Sequence, residues 1–201
     1  MSNIRIFVSH RIDIDSETVD TPVYFPVRCG AVYDEEGNSE IQGDDTGDNI
    51  SKLRMSFCEF TVQYWAWKNV DADYYGLCHY RRYLSFSDKR YKNTVFNMVR
   101  ELKLTPHEKK KYHLDDTKKI EKTVKQYDMI IPVVAKASEM SYNRAEVKTL
   151  REMWESYNGV YFEQGIIDKM FSLIKEYSPE YYNSACEYFS GKYHRAFNCY
   201  I

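Results

Sequence analysis

The sequence predicts an α/β fold in which a mostly parallel central sheet is flanked by helices. Short apolar runs bounded by polar segments occur at residues 4–10, 73–80 and 127–136, as is typical of buried strands. Longer stretches of helical pattern lie between these runs. Strands that alternate with helices usually pair in parallel, because each helix carries the chain back across the sheet.

The first strand is predicted at residues 4–10 and ends at Ser9 and His10. The apolar segment after it contains Pro22 and Pro26, which favours irregular or edge structure over a central strand. In the first half of the remaining sequence, the pattern predicts a polar loop over 37–51, a buried helix over 55–69 and the strand at 73–80. Surface helices follow within 88–126, and then the strand at 127–136. The last part is predicted to contain a helix over 144–157, one or two helices over 165–191 that break near Ser178 and Pro179, and the start of a strand at the final residues.

Composition and charge exclude several classes of protein. Hydrophobic residues make up 43% of the 201 residues and charged residues 29%, and the net charge of −2 gives no global attraction to nucleic acid. The five cysteines include no CxxC pair, which indicates reduced thiols rather than a disulfide framework or a zinc site. With no membrane-spanning run and no signal peptide, we expect a soluble, cytoplasmic protein. Peripheral membrane association through a partner protein stays open.

The loop "GDDTGDNIS" places three acids, Asp44, Asp45 and Asp48, beside two glycines. An EF-hand is excluded, because the sixth residue counted from Asp44 is Asn49 and not glycine. Two interpretations remain. Asn49 or Ser51 caps the helix that follows, or the loop faces a ligand and its carboxylates accept hydrogen bonds from hydroxyl groups.

The stretch "DADYYGLCHYRRYL" contains the second polar cluster, in which a predicted strand ends at His79, Tyr80, Arg81 and Arg82. Arginine presents a fork of donors that suits phosphate, and histidine adds a donor when it is protonated. The strand end is therefore a candidate pyrophosphate-binding site. In the alternative interpretation, the two arginines pair with the acids of residues 44–48 and fasten that loop.

Asp71 and Asp73 form a DxD pair, which in nucleotide-sugar enzymes holds Mg²⁺ or Mn²⁺ on the donor diphosphate. Such a pair normally follows an apolar strand, whereas this one precedes it. A parallel sheet would place it at the opposite edge from the ligand. We therefore expect a helix-to-strand turn and no metal cofactor, with Mg²⁺ or Mn²⁺ as the alternative.

These residues carry a resemblance to a known family. The sequence resembles bacterial exopolysaccharide and capsule-locus proteins that are described as glycosyltransferase-like and have long been catalogued as a domain of unknown function. The resemblance is closest over residues 4–84 and rests on "IFVSH", "GDDTGDNIS", "CEFTVQYWAWKN", "DADYYGLCHYRRYL", "YDMIIP" and "FNCYI".

The resemblance implies a GT-A-like fold in a single domain over residues 1–201. Residues 4–84 would bind the nucleotide sugar, and residues 85–201 would supply a helical insertion and the acceptor side. Because the family domain continues past a strand like "FNCYI", we expect C-terminal elements to be missing from this chain.

The resemblance also implies an activity, the transfer of a sugar from a nucleotide donor, UDP-linked, to a saccharide acceptor in capsule or exopolysaccharide synthesis. Galactofuranose transfer is one activity associated with such proteins. The alternative is a degenerate or truncated domain that binds a saccharide or nucleotide without turnover.

Roles for individual residues follow from the resemblance and the two polar clusters together. Ser9 and His10 would lie by the nucleoside, and the loop that contains Thr46 and Asn49 would lie by the ribose or the sugar. The end of the strand at residues 79–82 would neutralise the diphosphate without a metal. The candidates for the catalytic base are Asp45, Asp48 and Glu59.

Overall fold

The structure is a computed structural model that describes residues 2–35, 40–91, 98–142, 146–195 and 198–201. Its strands and α-helices are β1 (Ile4–Arg11), β2 (Tyr24–Cys29), β3 (Gln42–Gly43), α1 (Arg54–Phe57), α2 (Phe60–Asn69), β4 (Tyr74–His79), α3 (Pro106–Lys111), α4 (Thr117–Val124), β5 (Ala135–Lys136), α5 (Ala137–Met140), α6 (Leu150–Glu155), α7 (Ile166–Tyr177), α8 (Tyr182–Ser190) and β6 (Tyr193–His194). Short 3₁₀ helices occur at Ala31–Tyr33, Ser51–Leu53 and Pro179–Tyr181.

The chain divides into two compact units. The first comprises residues 1–90, 101–132 and 196–201 and contains β1 to β4. The second comprises residues 91–100 and 133–195 and contains α5 to α8, with β5 and β6 as an antiparallel pair. The two units follow a different boundary from the donor and acceptor halves expected from the sequence.

The central sheet has the strand order β3-β2-β1-β4, and every pair is parallel. This arrangement confirms the predicted α/β fold with a mostly parallel sheet. In β1, Ile6, Phe7 and Val8 are each at most 1% exposed. Consecutive residues of a strand point to opposite faces, so both faces of the sheet are covered at this strand.

The expectation of edge or irregular structure around Pro26 is wrong, because β2 lies inside the sheet between β1 and β3. The carbonyl of Arg28 faces β3 and accepts a hydrogen bond from the Asp44 amide at 3.1 Å. Backbone groups alternate sides along a strand, so the nitrogen of Pro26 faces the same side as Arg28. On that side β3 pairs only with Val27 and Arg28. The sheet therefore needs no hydrogen bond from the nitrogen of residue 26, and a proline is tolerated there.

The helix predicted over 55–69 is present but broken at Cys58, whose φ of 47° interrupts the helical path between α1 and α2. α2 then covers one face of the sheet. The buried side chains that form this part of the core are Phe7, Val27, Cys29, Val62, Trp65, Ala66 and Leu77.

The direction of α2 determines what lies near the strand ends. The helix follows the carboxyl end of β3 and leads into the amino end of β4, so it runs antiparallel to the strands. Its first residues lie at the edge of the sheet where the strands end, and Asn69 lies toward the opposite edge. Glu59, which occupies the N-cap position, is thereby placed beside the strand ends.

The strand predicted over 127–136 is mostly wrong. Ile130 exchanges two backbone hydrogen bonds with Ile201, but the flanking Met129 and Val133 are 59% and 58% exposed. Only Ala135 and Lys136 form a strand, in the second unit. The apolar run resembles a buried strand in sequence, yet it lies on an edge, where one residue pairs and the neighbours face solvent.

The start of a strand predicted at the final residues pairs with β4. Tyr200 and Leu77 exchange two backbone hydrogen bonds, of 2.8 and 2.9 Å, in an antiparallel bridge. Gly76 permits this close approach, because a Cβ there would lie 2.9 Å from the Tyr200 carbonyl oxygen. Residues 199–201 therefore extend the sheet beyond β4.

The predicted helices occur with shorter bounds. α3 and α4 lie within 88–126, of which residues 92–97 fall outside the described part of the chain. The helix expected over 144–157 begins at Leu150, where the Thr149 side chain caps the amide of Glu152, and residues 143–145 are likewise not described. The predicted break near Pro179 is confirmed. Across the described residues, no helix combines the length and apolar character needed to span a membrane.

Candidate functional site

The carboxyl ends of β1 and β4 meet at one edge of the sheet, where Ser9 of β1 is in register with His79 of β4. In open parallel sheets, ligands bind at this edge. The structure brings together here the side chains of Ser9, His10, Glu59, His79, Arg81 and Arg82, which we call the strand-end site.

A buried carboxylate, Asp44, connects the ends of β2 and β3 to α2. Asp44 is 0% exposed and accepts four hydrogen bonds. The donors are the amides of Gly30 and Ala31, each at 2.9 Å, and the hydroxyls of Ser51 and Thr61, at 2.5 and 2.6 Å. A buried charge needs such a complete set of partners, because an unpaired one is costly.

Asp44 itself therefore does not face a ligand. The Asp44 carboxylate does accept hydrogen bonds from hydroxyls, but they belong to the protein itself. Asn49 Oδ1 accepts a hydrogen bond from the Ser51 amide at 3.2 Å, but the N-cap of the 3₁₀ helix is Ile50 and no described side chain caps it, so neither Asn49 nor Ser51 is the predicted cap.

Beyond Asp44 the loop runs along the outside of α2. Thr46 accepts a hydrogen bond from the Trp65 indole at 2.9 Å. Asp48 accepts one from the Tyr64 hydroxyl at 3.1 Å, which raises the pKa of that phenol, and its backbone is held by the Asn69 side chain. Because Asn69 is ten residues beyond Glu59, Asp48 lies about 15 Å along the helix from the strand-end site.

The Asp45 carboxylate is exposed and accepts no hydrogen bond from the described residues, whereas the Asp45 carbonyl accepts one from the Asn49 side chain at 3.0 Å. It follows β3, which is separated from β4 by two strands, or about 14 Å across the sheet. Of the three candidate bases, Glu59 is therefore the one that the structure places beside His79. The structure leaves Asp45, Thr46, Asp48 and Asn49 outside the strand-end site.

Ser9 and His10 are buried at the end of β1, 4% and 2% exposed. The His10 nitrogens Nδ1 and Nε2 each lie 2.6 Å from a hydroxyl, those of Ser16 and Thr18 respectively, and burial lowers the pKa of the ring. A direct contact between the His10 ring nitrogens and a donor nucleotide would have to replace one of these bonds. Both side chains are therefore enclosed by the protein at the end of β1.

His79 is neutral near pH 7, because burial, followed by the nearby charge of Arg82, lowers its pKa to about 4. Its Nδ1 accepts a hydrogen bond from the Arg81 amide at 3.2 Å. The hydrogen of the neutral ring is therefore on Nε2. The sequence analysis expected His79 to add a hydrogen-bond donor when it is protonated. The neutral ring already offers one donor, the Nε2–H.

Arg81 and Arg82 lie on a turn that closes when the Arg82 amide donates to the His79 carbonyl at 2.8 Å. The Arg81 guanidinium lies over the ring of Tyr80, 4.9 Å from its centre, and Tyr80 itself is buried. Neither arginine forms an ion pair with any described residue. The alternative interpretation, in which they fasten the acids of residues 44–48, is therefore wrong.

Glu59 has a partner that sequence reasoning missed. The Asn198 side-chain amide donates to Glu59 Oε1 at 2.8 Å across 139 residues of sequence. The carboxylate also lies close enough to His79 for its charge to act on the imidazole. Although "FNCYI" was identified as a family segment, no local pattern links Asn198 to Glu59.

Asp71 and Asp73 lie at the amino end of β4, as predicted. The Asp73 carboxylate accepts a hydrogen bond from the Asn3 amide at 2.8 Å, and the Asp71 carbonyl accepts one from the Asn3 side chain at 2.8 Å. Ile4 is in register with Tyr74, so these bonds fasten the start of β1 to the start of β4. The DxD pair is a turn at the edge opposite the strand-end site.

The fold and this edge can be compared with known proteins. A family model described as Domain of unknown function (DUF4422) matches residues 5–201. The chain belongs to this family. No curated protein sequence matches it.

Among solved structures, the DUF4422 chain is similar to an apo structure of the WbbM bifunctional glycosyltransferase, with a TM-score of 0.82 and 25% sequence identity. The match covers 98% of this chain and 33% of WbbM, so the chain spans about a third of the length of that protein. The similarity confirms the predicted GT-A-like fold and supports a glycosyltransferase-like family.

We predict that Asp44→Ala lowers the free energy of unfolding by about 3 kcal/mol or more, because two amides and two buried hydroxyls lose their acceptor. Urea denaturation measures this loss. The matched control Asp45→Ala removes an exposed carboxylate and is expected to change stability by less than about 0.5 kcal/mol. Equal effects of the two substitutions would show that Asp44 does not hold the strand ends.

A second prediction concerns pH. As the pH falls, His79 takes up a proton in the unfolded chain near its ordinary pKa of 6.5, but in the folded chain only near 4. The stability that the neutral ring contributes is therefore present above pH 6.5 and is lost as the pH approaches 4.

Between about pH 7 and pH 4.5, we expect the wild type to lose roughly 1–2 kcal/mol more stability than His79→Gln, after allowance for solvent screening. Glutamine carries no group that takes up a proton in this pH range. Urea denaturation of both proteins at the two pH values is the measurement. Identical losses would contradict the burial of a neutral His79.

Proposed function

We propose that the chain transfers a sugar from a UDP-linked donor to the hydroxyl of a saccharide acceptor. The observation that carries this proposal is the strand-end site. It combines two exposed, unpaired arginines and a neutral histidine N–H with a carboxylate, at the edge of the sheet where ligands of this fold class bind. The similarity to a solved glycosyltransferase supports the same class of reaction.

In this proposal the diphosphate of the donor binds Arg81 and Arg82. Charge builds on the leaving diphosphate as its bond to the sugar breaks, and guanidinium groups fixed on a tight turn stabilise that charge. The Nε2–H of His79 contributes a neutral donor to the same group. Neither guanidinium forms an ion pair with a described residue, so among those residues no acidic side chain competes with the donor.

The residues of the strand-end site do not fit a divalent metal. Two guanidinium groups repel a cation, and the site offers one carboxylate where a hard metal ion prefers several oxygen ligands. Asp71 and Asp73, the pair that could hold Mg²⁺ or Mn²⁺, are at the other edge and engage Asn3. We therefore propose that donor binding and transfer proceed without a metal and continue in EDTA.

Glu59 is proposed as the catalytic base. Its carboxylate would take the proton of the acceptor hydroxyl while that oxygen attacks the anomeric carbon, and the bond from that carbon to the diphosphate oxygen breaks. This displacement inverts the anomeric centre.

The biological setting is proposed from the family resemblance. We propose that the acceptor is a growing capsule or exopolysaccharide chain, that the sugar is a hexose such as galactofuranose, and that the protein acts in the cytoplasm. Association with the membrane would come through biosynthetic partners. A screen of nucleotide sugars by thermal shift identifies the donor, since at equal concentration the ligand that binds more tightly raises the melting temperature further.

Substitution of either arginine tests the diphosphate site. We expect Arg81→Ala and Arg82→Ala each to weaken the binding of the best UDP-sugar by roughly ten- to a hundredfold, because each removes a charge-assisted hydrogen bond. Isothermal titration in EDTA measures the affinity. Arg90→Ala, which removes an exposed arginine outside the site, is the matched control. Unchanged affinity in both site variants, or binding only with added Mn²⁺, would overturn this part of the proposal.

Glu59→Gln tests the base. The amide can still accept the hydrogen bond from Asn198 but cannot take a proton, so we expect kcat to fall about 10²–10⁴-fold with donor affinity retained. Release of UDP in the presence of the acceptor is the measurement. A larger loss in Asp45→Asn or Asp48→Asn would show that another carboxylate is the base. Donor binding without product in the wild type would favour the non-catalytic module.

A further inference from the structure

We infer that Asn198 is the positioning residue for Glu59, orienting the proposed base and fixing which carboxylate oxygen is free. The inference rests on the proposed function and adds to it a residue from the distant end of the chain.

The hydrogen bond between the two side chains has a defined direction. A carboxylate can only accept hydrogen bonds, so the Asn198 amide must present its NH₂ group, and Nδ2 lies 2.8 Å from Glu59 Oε1. Oε2 has no partner among the described residues. The bond therefore engages one oxygen and leaves the other available for the proton of an acceptor hydroxyl.

Asn198 is itself held by the pairing of the residues after it. Tyr200 is paired to Leu77 in β4, and Ile201 is paired to Ile130, through two backbone hydrogen bonds each. The Cys199 thiol is buried 3.4 Å from the Cys78 thiol. These contacts fasten residues 199–201 along β4, the strand that ends at His79, and so fix Asn198 next to the base.

The contact also matters because Glu59 is half-buried. A partly desolvated polar group is costly unless it keeps its hydrogen-bond partners. The groups that face it are the N-terminus of α2, the Asn198 amide, and the imidazole of His79 with Arg82 beyond it. Removal of Asn198 takes away the single side-chain hydrogen bond that the described residues give to Glu59.

The test is the split between kcat and KM in Asn198→Ala and Asn198→Asp. For Asn198→Ala we expect kcat to fall about tenfold, because the Glu59 carboxylate loses the hydrogen bond that orients it. Asn198→Asp keeps the shape of the side chain but places a second carboxylate against Glu59, so we expect a larger fall in kcat. The KM for the UDP-sugar stays unchanged, because Asn198 acts through Glu59 and not on the donor.

A merely structural role for Asn198 predicts something different: a lower melting temperature, a raised KM for the UDP-sugar, and a smaller loss in the isosteric Asn198→Asp than in Asn198→Ala. Asn183→Ala, which removes an exposed asparagine of α8, is the matched control and is expected to keep the wild-type kinetics. An unchanged kcat in both Asn198 variants of an active protein, or a loss confined to KM, overturns the inference alone. A wild type that binds UDP-sugars but transfers nothing overturns the proposed function and this inference together.

Discussion

The buried carboxylate of Asp44 is the interaction on which the functional edge of this fold depends. It joins the turn after β2, the end of β3, the 3₁₀ helix at Ser51 and the first turn of α2 through four hydrogen bonds. The position of α2 on the sheet follows from this connection, and with it the place of Glu59. A group so enclosed specifies a single arrangement, because any displacement leaves donors without an acceptor.

Two kinds of polar residue lie at this edge of the sheet. Asp44 and His10 are buried and fully engaged with protein groups, and they set the geometry. Arg81, Arg82 and the Nε2–H of His79 are bound to no acidic side chain of the described residues, and they remain available to an anionic ligand. This division explains how the end of β4 stays ordered although its two arginines form no salt bridge with the described residues.

Sequence reasoning predicted the parts of the molecule that depend on local pattern. The strands at Ile4–Arg11 and Tyr74–His79, the helical character around α2 and the location of the DxD turn follow from apolar periodicity and strand direction. The role of Asp44, the path of its loop along α2 and the contact from Asn198 could not be predicted, because each depends on residues far apart in sequence. The prediction of a strand at 127–136 is mostly wrong because the pattern of apolar residues cannot distinguish a covered strand from an exposed edge.

The bridge between Leu77 and Tyr200 also has a consequence for folding on the ribosome. β1, β2, β3 and β4 can pair soon after they are synthesised, but among the described residues the outer side of β4 pairs only with residues 199–201, which emerge several seconds later at typical rates of synthesis. During that interval β4 presents an unpaired edge, a known template for aggregation. Completion of the sheet and delivery of Asn198 to Glu59 are therefore one late event, and they carry the entropic cost of closing a very long loop.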